Sequence, residues 1–215
     1  MTLTGRLLVD TVMLRSQIAF PTLKLDVGAT LMMVNDARRS IFNEIYPIMP
    51  NKFMKRCDVP SANFKTFVAS DRFVRVVAAW NAATTPYGPA KLISFQELDS
   101  TNKNSYQMPT TTNPGYTVEK LTVRMYPNTI TNWSLWYVEG PSDLTLASTE
   151  SFIPWEFTEA VILNTLLSVY TKLASLDGIE MISTQLKTHN ELYKKTFFQA
   201  EKNSRVMLQS AQPIQ

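Results

Sequence analysis

KLTVRMYPNTITNWSLWYVEGP, residues 120–141, holds two β-rich runs, LTVRMY and WSLWYV, on either side of the polar turn PNTITN. Leu121, Val123 and Met125 alternate with Thr122 and Arg124, the period-two pattern of a strand with one buried face. The second run is apolar or aromatic nearly throughout, with Ser134 its only small polar break, so both of its faces are expected to be at least partly covered. With the residues just upstream, these runs predict a pair of strands, 116–126 and 133–138, joined as a hairpin. Two of the four Trp and two of the eight Tyr lie here. They admit two readings: the packing of a β-domain, or an exposed platform for carbohydrate or single-stranded nucleic acid built from Trp133, Trp136, Tyr126 and Tyr137. Trp133, Leu135 and Tyr137 share one parity, and a face that mixes aromatics with Leu reads as a core face.

Upstream, RFVRVVAAW (72–80) and AKLISF (90–95) read as further strands, separated by the turn chemistry of ATTPYGP. Ser94-Phe95-Gln96-Glu97 fits a capping box for a short helical turn. Residues 99–115 are polar and turn-rich, and predict a long exposed loop.

Helices flank this β-rich middle. The first is expected from Thr4 to Ile18, with Leu7, Leu8, Val12, Leu14 and Ile18 at helical spacing and Pro21 closing it. The second starts from Asp26 as N-cap. Its stripe is Val27, Leu31, Val34, Arg38, Ile41, Phe42 and Ile45, with Arg38 as the odd member, and Pro47 and Pro50 stop it. Downstream, Pro154 suits a first helical turn, and Glu156 and Glu159 suit its positive end. Apolar residues from Phe157 to Leu173 cover most of that helix's circumference, which makes it central, and Asp177-Gly178 is expected to end it. The last helix, about Ile179 to Lys202, carries Ile179, Ile182, Leu186, Tyr193, Phe197 and Ala200 on one stripe. The final residues read as an extended tail. The predicted fold class is α+β: a helical bundle of about four helices with an inserted antiparallel β-domain. Its segments are 1–58 (N-terminal helices), 59–150 (β-rich domain), 151–203 (C-terminal helices of the same bundle) and 204–215 (tail).

Composition narrows the function classes. A chain of 215 residues holds one large domain or two small lobes, and its formal charge of +3 is too small to argue by itself for nucleic acid. Cys57 is the only cysteine, so no intrachain disulfide forms, as in a chain assembled in a reducing compartment. The most apolar run, EAVILNTLLSVYTKLASL, is interrupted by Asn, Thr, Ser and Lys and falls short of a membrane span. Asp10 and Arg15 stand where an export leader would be apolar, so export is not expected, and the sequon Asn132-Trp133-Ser134 reads as a chance match.

No catalytic constellation emerges. His189 is the only histidine, and it lies on the last helix without companions. There is no Cys pair for zinc, no GxGxxG, no P-loop, and six Gly in all. Glu97 with Asp99 and Glu156 with Glu159 are explained by capping and by the helix dipole. The expectation is a non-enzyme with no catalytic, metal-binding or cofactor-binding residue. Arg38-Arg39 has two readings, a contact with phosphate or a partner's carboxylates, or a solvated helix face. Lys187, Lys194, Lys195, Lys202 and Arg205 against Glu191 and Glu201 make the C-terminal helix mildly basic.

Four stretches, in order, resemble the head-to-tail adaptor (neck, or connector) proteins of tailed bacteriophages: LMMVNDARRSIFNEI (31–45), FVRVVAAW followed by LISFQELD, LTVRMYPNTITNWSLWYV (121–138), and FIPWEFTEAVILNTLLSVY (152–170). Order and spacing carry the resemblance, which spans roughly residues 5 to 203; the 99–115 loop and the polar tail depart from it. It implies a helical bundle with an inserted β-domain and a structural virion protein at the head–tail junction, made and assembled in the host bacterial cytoplasm. It further implies a ring of about twelve copies that binds the phage portal on one side and a tail or further neck protein on the other. That ring would line the DNA channel, with non-specific contact to the genome, and help retain and release it. No membrane is involved. Expected ring or portal contacts are Arg38, Arg39, Arg205, Val206, Met207, Leu208 and Ile214, the last five in the portal-docking segment. The alternative is the ligand-binding module with an aromatic hairpin.

Overall fold

The computed structural model describes residues 3–59, 66–81, 89–94, 109–127 and 132–210. In chain order these form α1 (Gly5–Ala19), α2 (Val27–Ile45), the single turn α3 (Pro50–Phe53), β1 (Met54–Val59), β2 (Thr66–Val68), β3 (Phe73–Asn81), β4 (Lys91–Leu92), β5 (Gly115–Glu119), β6 (Thr122–Tyr126), β7 (Trp133–Glu139), a 3-10 turn (Trp155–Phe157), α4 (Thr158–Lys172) and α5 (Leu176–Ser210). The fold is α+β. The chain divides into a helical unit, residues 1–49 with 141–215, and a β unit, residues 50–140. The expected boundaries at 59 and 150 move outward and inward respectively. β1 belongs with the β unit, and residues 141–150 belong with the helices.

In the helical unit, side-chain caps set the first two helix starts. The Thr4 hydroxyl accepts from the Leu7 N–H at 3.2 Å, and the Asp26 carboxylate accepts from the Ala29 N–H at 2.7 Å. Leu8, Val9 and Val12 of α1 and Met33, Val34, Ala37, Ile41, Phe42 and Ile45 of α2 are buried. Each fully buried side chain of this kind contributes about 1.5–3 kcal/mol. α4 buries residues around most of its circumference and packs against α1, α2 and α5, so it is the central helix.

α4 stops earlier than Asp177-Gly178. It ends at Lys172, with Ala174 in the left-handed region (φ 53°). The Ser175 N–H reaches the Tyr170 carbonyl and the Ala174 N–H the Thr171 carbonyl, the paired bonds of a Schellman cap without its usual glycine. Gly178 has a different task in the first turn of α5. A Cβ there would lie 3.1 Å from the Tyr170 ring, so the missing side chain lets α5 approach α4. The expected extended tail is also corrected: α5 continues through Ser210. Residues 204–210 contain neither Gly nor Pro and are rich in good helix formers, so nothing stops the helix there. Residues 211–215, including Ile214, lie outside the described residues.

The β unit holds two sheets, ordered β1-β7-β3 and β2-β6-β5-β4. Pairing is antiparallel except for β4 with β5. Val59, Ala79, Trp133 and Leu135 of the first sheet form one core cluster with Ala90 and with Tyr116, Val123 and Met125 of the second. Two expectations about the 120–141 stretch are overturned here. Residues 116–126 are not one strand: the chain turns at Lys120-Leu121, with Lys120 left-handed (φ 53°), and β5 folds back onto β6. Nor do β6 and β7 pair. β6 lies between β2 and β5, and β7 is the central strand of the other sheet. A central strand needs a hydrogen-bonding neighbour on each side, and β1 supplies one of them although its sequence, MKRCDV, is largely polar. The expected strand 90–95 contracts to Lys91–Leu92. Residues 95–97 of the capping box and 99–108 of the long loop lie outside the described residues, and Gly115 already opens β5.

Candidate functional site

Among the described residues of the helical unit, a dense polar cluster joins one turn of α2, Asn35-Asp36-Ala37-Arg38-Arg39, to the irregular segment 141–153. The Asn35 side-chain amide pairs with both backbone groups of Leu144, donating to its carbonyl at 3.1 Å and accepting from its N–H at 2.8 Å. Arg38 Nη1 donates to the Ser142 carbonyl at 2.7 Å and to Asn35 Oδ1 at 3.2 Å. Arg38 Nε and Nη2 form a bidentate pair with the Glu150 carboxylate, the second bond at 3.2 Å. Both side chains are buried, at 2% and 4% exposure. Glu150 Oε1 also accepts from the Phe152 and Ile153 N–H groups at 2.8 and 3.1 Å.

The same segment is stitched to the start of α1. The Gly5 N–H donates to the Ser148 carbonyl at 2.9 Å, and the Arg6 N–H to the Leu146 carbonyl at 3.0 Å. A Cβ on Gly5 would fall 2.2 Å from the Thr145 carbonyl oxygen, so this approach requires glycine. Charges buried this deeply are costly to desolvate, and here each is matched by a bidentate partner and backbone bonds. The cluster holds a chain segment in place and leaves its guanidinium and carboxylate fully engaged.

Arg38 is therefore corrected as a contact residue: its guanidinium faces inward, bonded to Glu150, Ser142 and Asn35. Arg39 stays at the surface, half exposed, paired with Asp36 at 2.7 Å and with Asp143. Residues 205–208 sit on the last turns of α5.

Sequence reasoning missed several exposed apolar side chains on the helical unit. Leu14 and Ile18, one turn apart on α1, are 60% and 73% exposed, and Trp155 is 79% exposed. Arg15, between the two aliphatic residues, bridges to Glu159, one turn beyond Trp155, with bonds of 2.5 and 3.1 Å. The periodic stripe had assigned Leu14 and Ile18 to the core. Their neighbours Leu8 and Val12 take that face, and the signal available in sequence was that Leu14 and Ile18 lie one turn apart on the side carrying Arg6 and Asp10.

α5 has a further distinguishing dimension. At 35 residues it is about 52 Å long, against about 22 Å for the 15 residues of α4. Tyr193 already meets Phe157 beside the start of α4, with ring centroids 5.5 Å apart, so α5 runs on for about 25 Å past that point. His189 stacks near Tyr193 with centroids 4.5 Å apart. Burial pushes its pKa below the ordinary imidazole value, with the Glu159 carboxylate acting in the opposite sense.

In the β unit, the hairpin platform loses its central member: Trp133 is fully buried, and Leu135 shares its face. Glu139, buried at the end of β7, is bound by Lys55 at 2.5 Å, by Arg72 at 3.1 Å and by the Ser70 hydroxyl. Burial works to raise its pKa, but the bonds from Lys55 and Ser70 and the two cationic charges hold the carboxyl below its usual range.

Among the described residues no group of three or more His, Cys, Asp and Glu is placed to hold a metal ion, and no helix is long and apolar enough to cross a membrane. Fold and site define a two-unit α+β protein in which a buried polar cluster pins the chain's own segment. No protein-family model and no curated protein sequence matches it.

Proposed function

We propose that this chain is a structural subunit of a phage neck: an adaptor ring between the portal of the head and the tail, around the DNA channel, without enzymatic activity. The observation that carries this reading is the insertion. Residues from both ends of the chain build one helical unit, and residues 50–140, inserted in its sequence, form a separate β unit, the organisation that the adaptor resemblance implies. Two features of the helical unit support it further. A ring requires two different adhesive faces on each copy. Leu14, Ile18 and Trp155 supply exposed apolar side chains for such a face. The overhanging length of α5 supplies a segment that reaches beyond its own bundle, and Arg205, Val206, Met207 and Leu208 ride on its end. Arg39, exposed on α2, is retained as a contact residue.

Size-exclusion chromatography with light scattering, on the protein alone and mixed with the portal, tests this reading. The expected result is a complex with the portal of ring stoichiometry, about twelve copies. A chain that stays monomeric with the portal at every concentration overturns it. Deleting residues 204–215 is expected to abolish portal attachment while leaving the far-ultraviolet spectrum of a folded monomer; attachment that survives the deletion places the contact elsewhere.

A further inference from the structure

The sheet β1-β7-β3 has a second face, opposite its core face, that neither the adaptor reading nor the buried Trp133 explains. Register places Arg56, Trp136 and Ala78 side by side on it, and Asp58, Ser134 and Trp80 in the next row. Trp80 is 40% exposed, Trp136 is half-buried, and Arg56 and Asp58 are exposed. The Arg56 guanidinium sits 5.8 Å from the centre of the Trp136 ring. It also binds Asp58 at 3.0 Å and the Ser134 hydroxyl at 3.2 Å. Arg75, opposite Val138, adds a second exposed cation.

Charge is unevenly distributed between the two units. The β unit, residues 50–140, carries ten Lys and Arg against six Asp and Glu, whereas the rest of the chain carries eleven against twelve. The whole positive excess of the protein therefore belongs to the unit that bears this face. An antiparallel sheet face with two tryptophans on neighbouring strands, an arginine over one ring and a net positive setting meets the requirements for unpaired bases on a phosphate chain: stacking surfaces that tolerate any base, and cations for the backbone. A duplex hides its base faces, so the two tryptophans offer it nothing.

We propose that this face binds single-stranded nucleic acid, with Trp80 and Trp136 stacking on bases and Arg56 meeting phosphate. The proposal stands apart from the ring reading and does not depend on it. Asp58 is the one carboxylate among the described residues of the face; it holds Arg56 in place and repels phosphate.

The test is fluorescence anisotropy of a labelled oligothymidine titrated with the full chain, at low and moderate salt, beside a duplex of equal length. The expected result is tighter binding of the single strand, weakening as salt rises. Trp80→Ala is expected to lower affinity about tenfold, with circular dichroism showing the variant still folded at the assay temperature. Arg56→Ala is expected to weaken binding and flatten its salt dependence, and Asp58→Asn to tighten binding several-fold. No binding at low salt overturns the proposal. So does duplex binding of equal strength that Trp80→Ala leaves untouched, which would be charge alone. A Trp80→Ala variant that alters self-association without any oligonucleotide binding overturns it as well, and makes the face a protein contact.

Discussion

Arg38 and Glu150 are 112 residues apart in sequence and form a buried, bidentate ion pair within the helical unit. The pair fixes where the chain runs on its return to the helices, because Arg38 also holds the Ser142 carbonyl and Glu150 also holds the N–H groups of Phe152 and Ile153. Removing one partner leaves the other charge buried and uncompensated. Arg38→Met is therefore expected to destabilise the protein by about 3–5 kcal/mol. Replacing both, Arg38→Met with Glu150→Leu, is expected to recover part of that loss. Urea denaturation of the three proteins measures it. A single variant as stable as the parent, or a double variant no better than the single, would show that the pair does not hold the segment.

Arg39, the next residue, makes the contrast. Its partners Asp36 and Asp143 are 70% and 63% exposed, so the two ion pairs are screened by water and worth at most about 1 kcal/mol. Arg39→Ala is expected to leave the melting temperature nearly unchanged while weakening ring assembly or portal docking in the chromatographic assay. A large loss of stability would make Arg39 a folding residue, and normal assembly would remove it from the interface.

Gly178 carries a prediction about helix packing. A Cβ at this position meets the Tyr170 ring at 3.1 Å and the Ser175 hydroxyl at 3.0 Å. Gly178→Val is expected to cost about 1–3 kcal/mol through overpacking between α4 and α5. Were Gly178 only a helix stop, valine there would instead lengthen α4 and raise helicity; circular dichroism together with a melting curve separates the two results.

Local features of the fold were legible in the sequence and long-range pairings were not. The apolar stripe of α2 and its Asp26 cap were legible, because both are local. Arg38 was visible as an anomaly in that stripe, but its partner was not, since Glu150 adjoins it only through the folded path of the chain. The 120–141 stretch was misread for a related reason. Alternation tells which residues face inward and says nothing of which strand lies alongside. The turn at Lys120-Leu121 left a trace all the same: the inward positions pass from even (Tyr116, Val118) to odd (Val123, Met125), and one continuous strand cannot do that. β1 escaped because Lys55, Arg56 and Asp58 serve its exposed sides, which left too little apolar alternation to register.

His189 links stability to pH. Burial disfavours its charged form, so its folded pKa lies below the ordinary 6.5 of an unfolded imidazole, with Glu159 only partly offsetting this. As pH falls below 6.5 the unfolded chain takes up the proton first. The stability present above that value is therefore lost progressively as pH falls through the folded pKa. His189→Gln is expected to flatten the slope between neutral pH and pH 5, measured as melting temperature against pH. An equal slope in the variant would assign the dependence to carboxylates.

Trp155 is a direct test of the proposed association. It is 79% exposed on a short 3-10 turn whose neighbour Phe157 is buried, so its backbone is held while its indole is left to solvent. Exposed tryptophans beside aliphatic residues are the side chains that most often dominate a protein interface. Trp155→Ala is expected to leave the melting temperature within about 0.5 kcal/mol of the parent in stability terms. It is expected to weaken self-association or portal binding by at least 2 kcal/mol, roughly thirtyfold in Kd. Ile18→Ser on α1 is expected to act in the same direction with smaller effect, because an aliphatic side chain offers less contact area than an indole. Sedimentation equilibrium on the parent and both variants, alone and with portal, reads this directly. Unchanged association in the Trp155 variant would remove Trp155 from the proposed contact and leave α5 as the candidate.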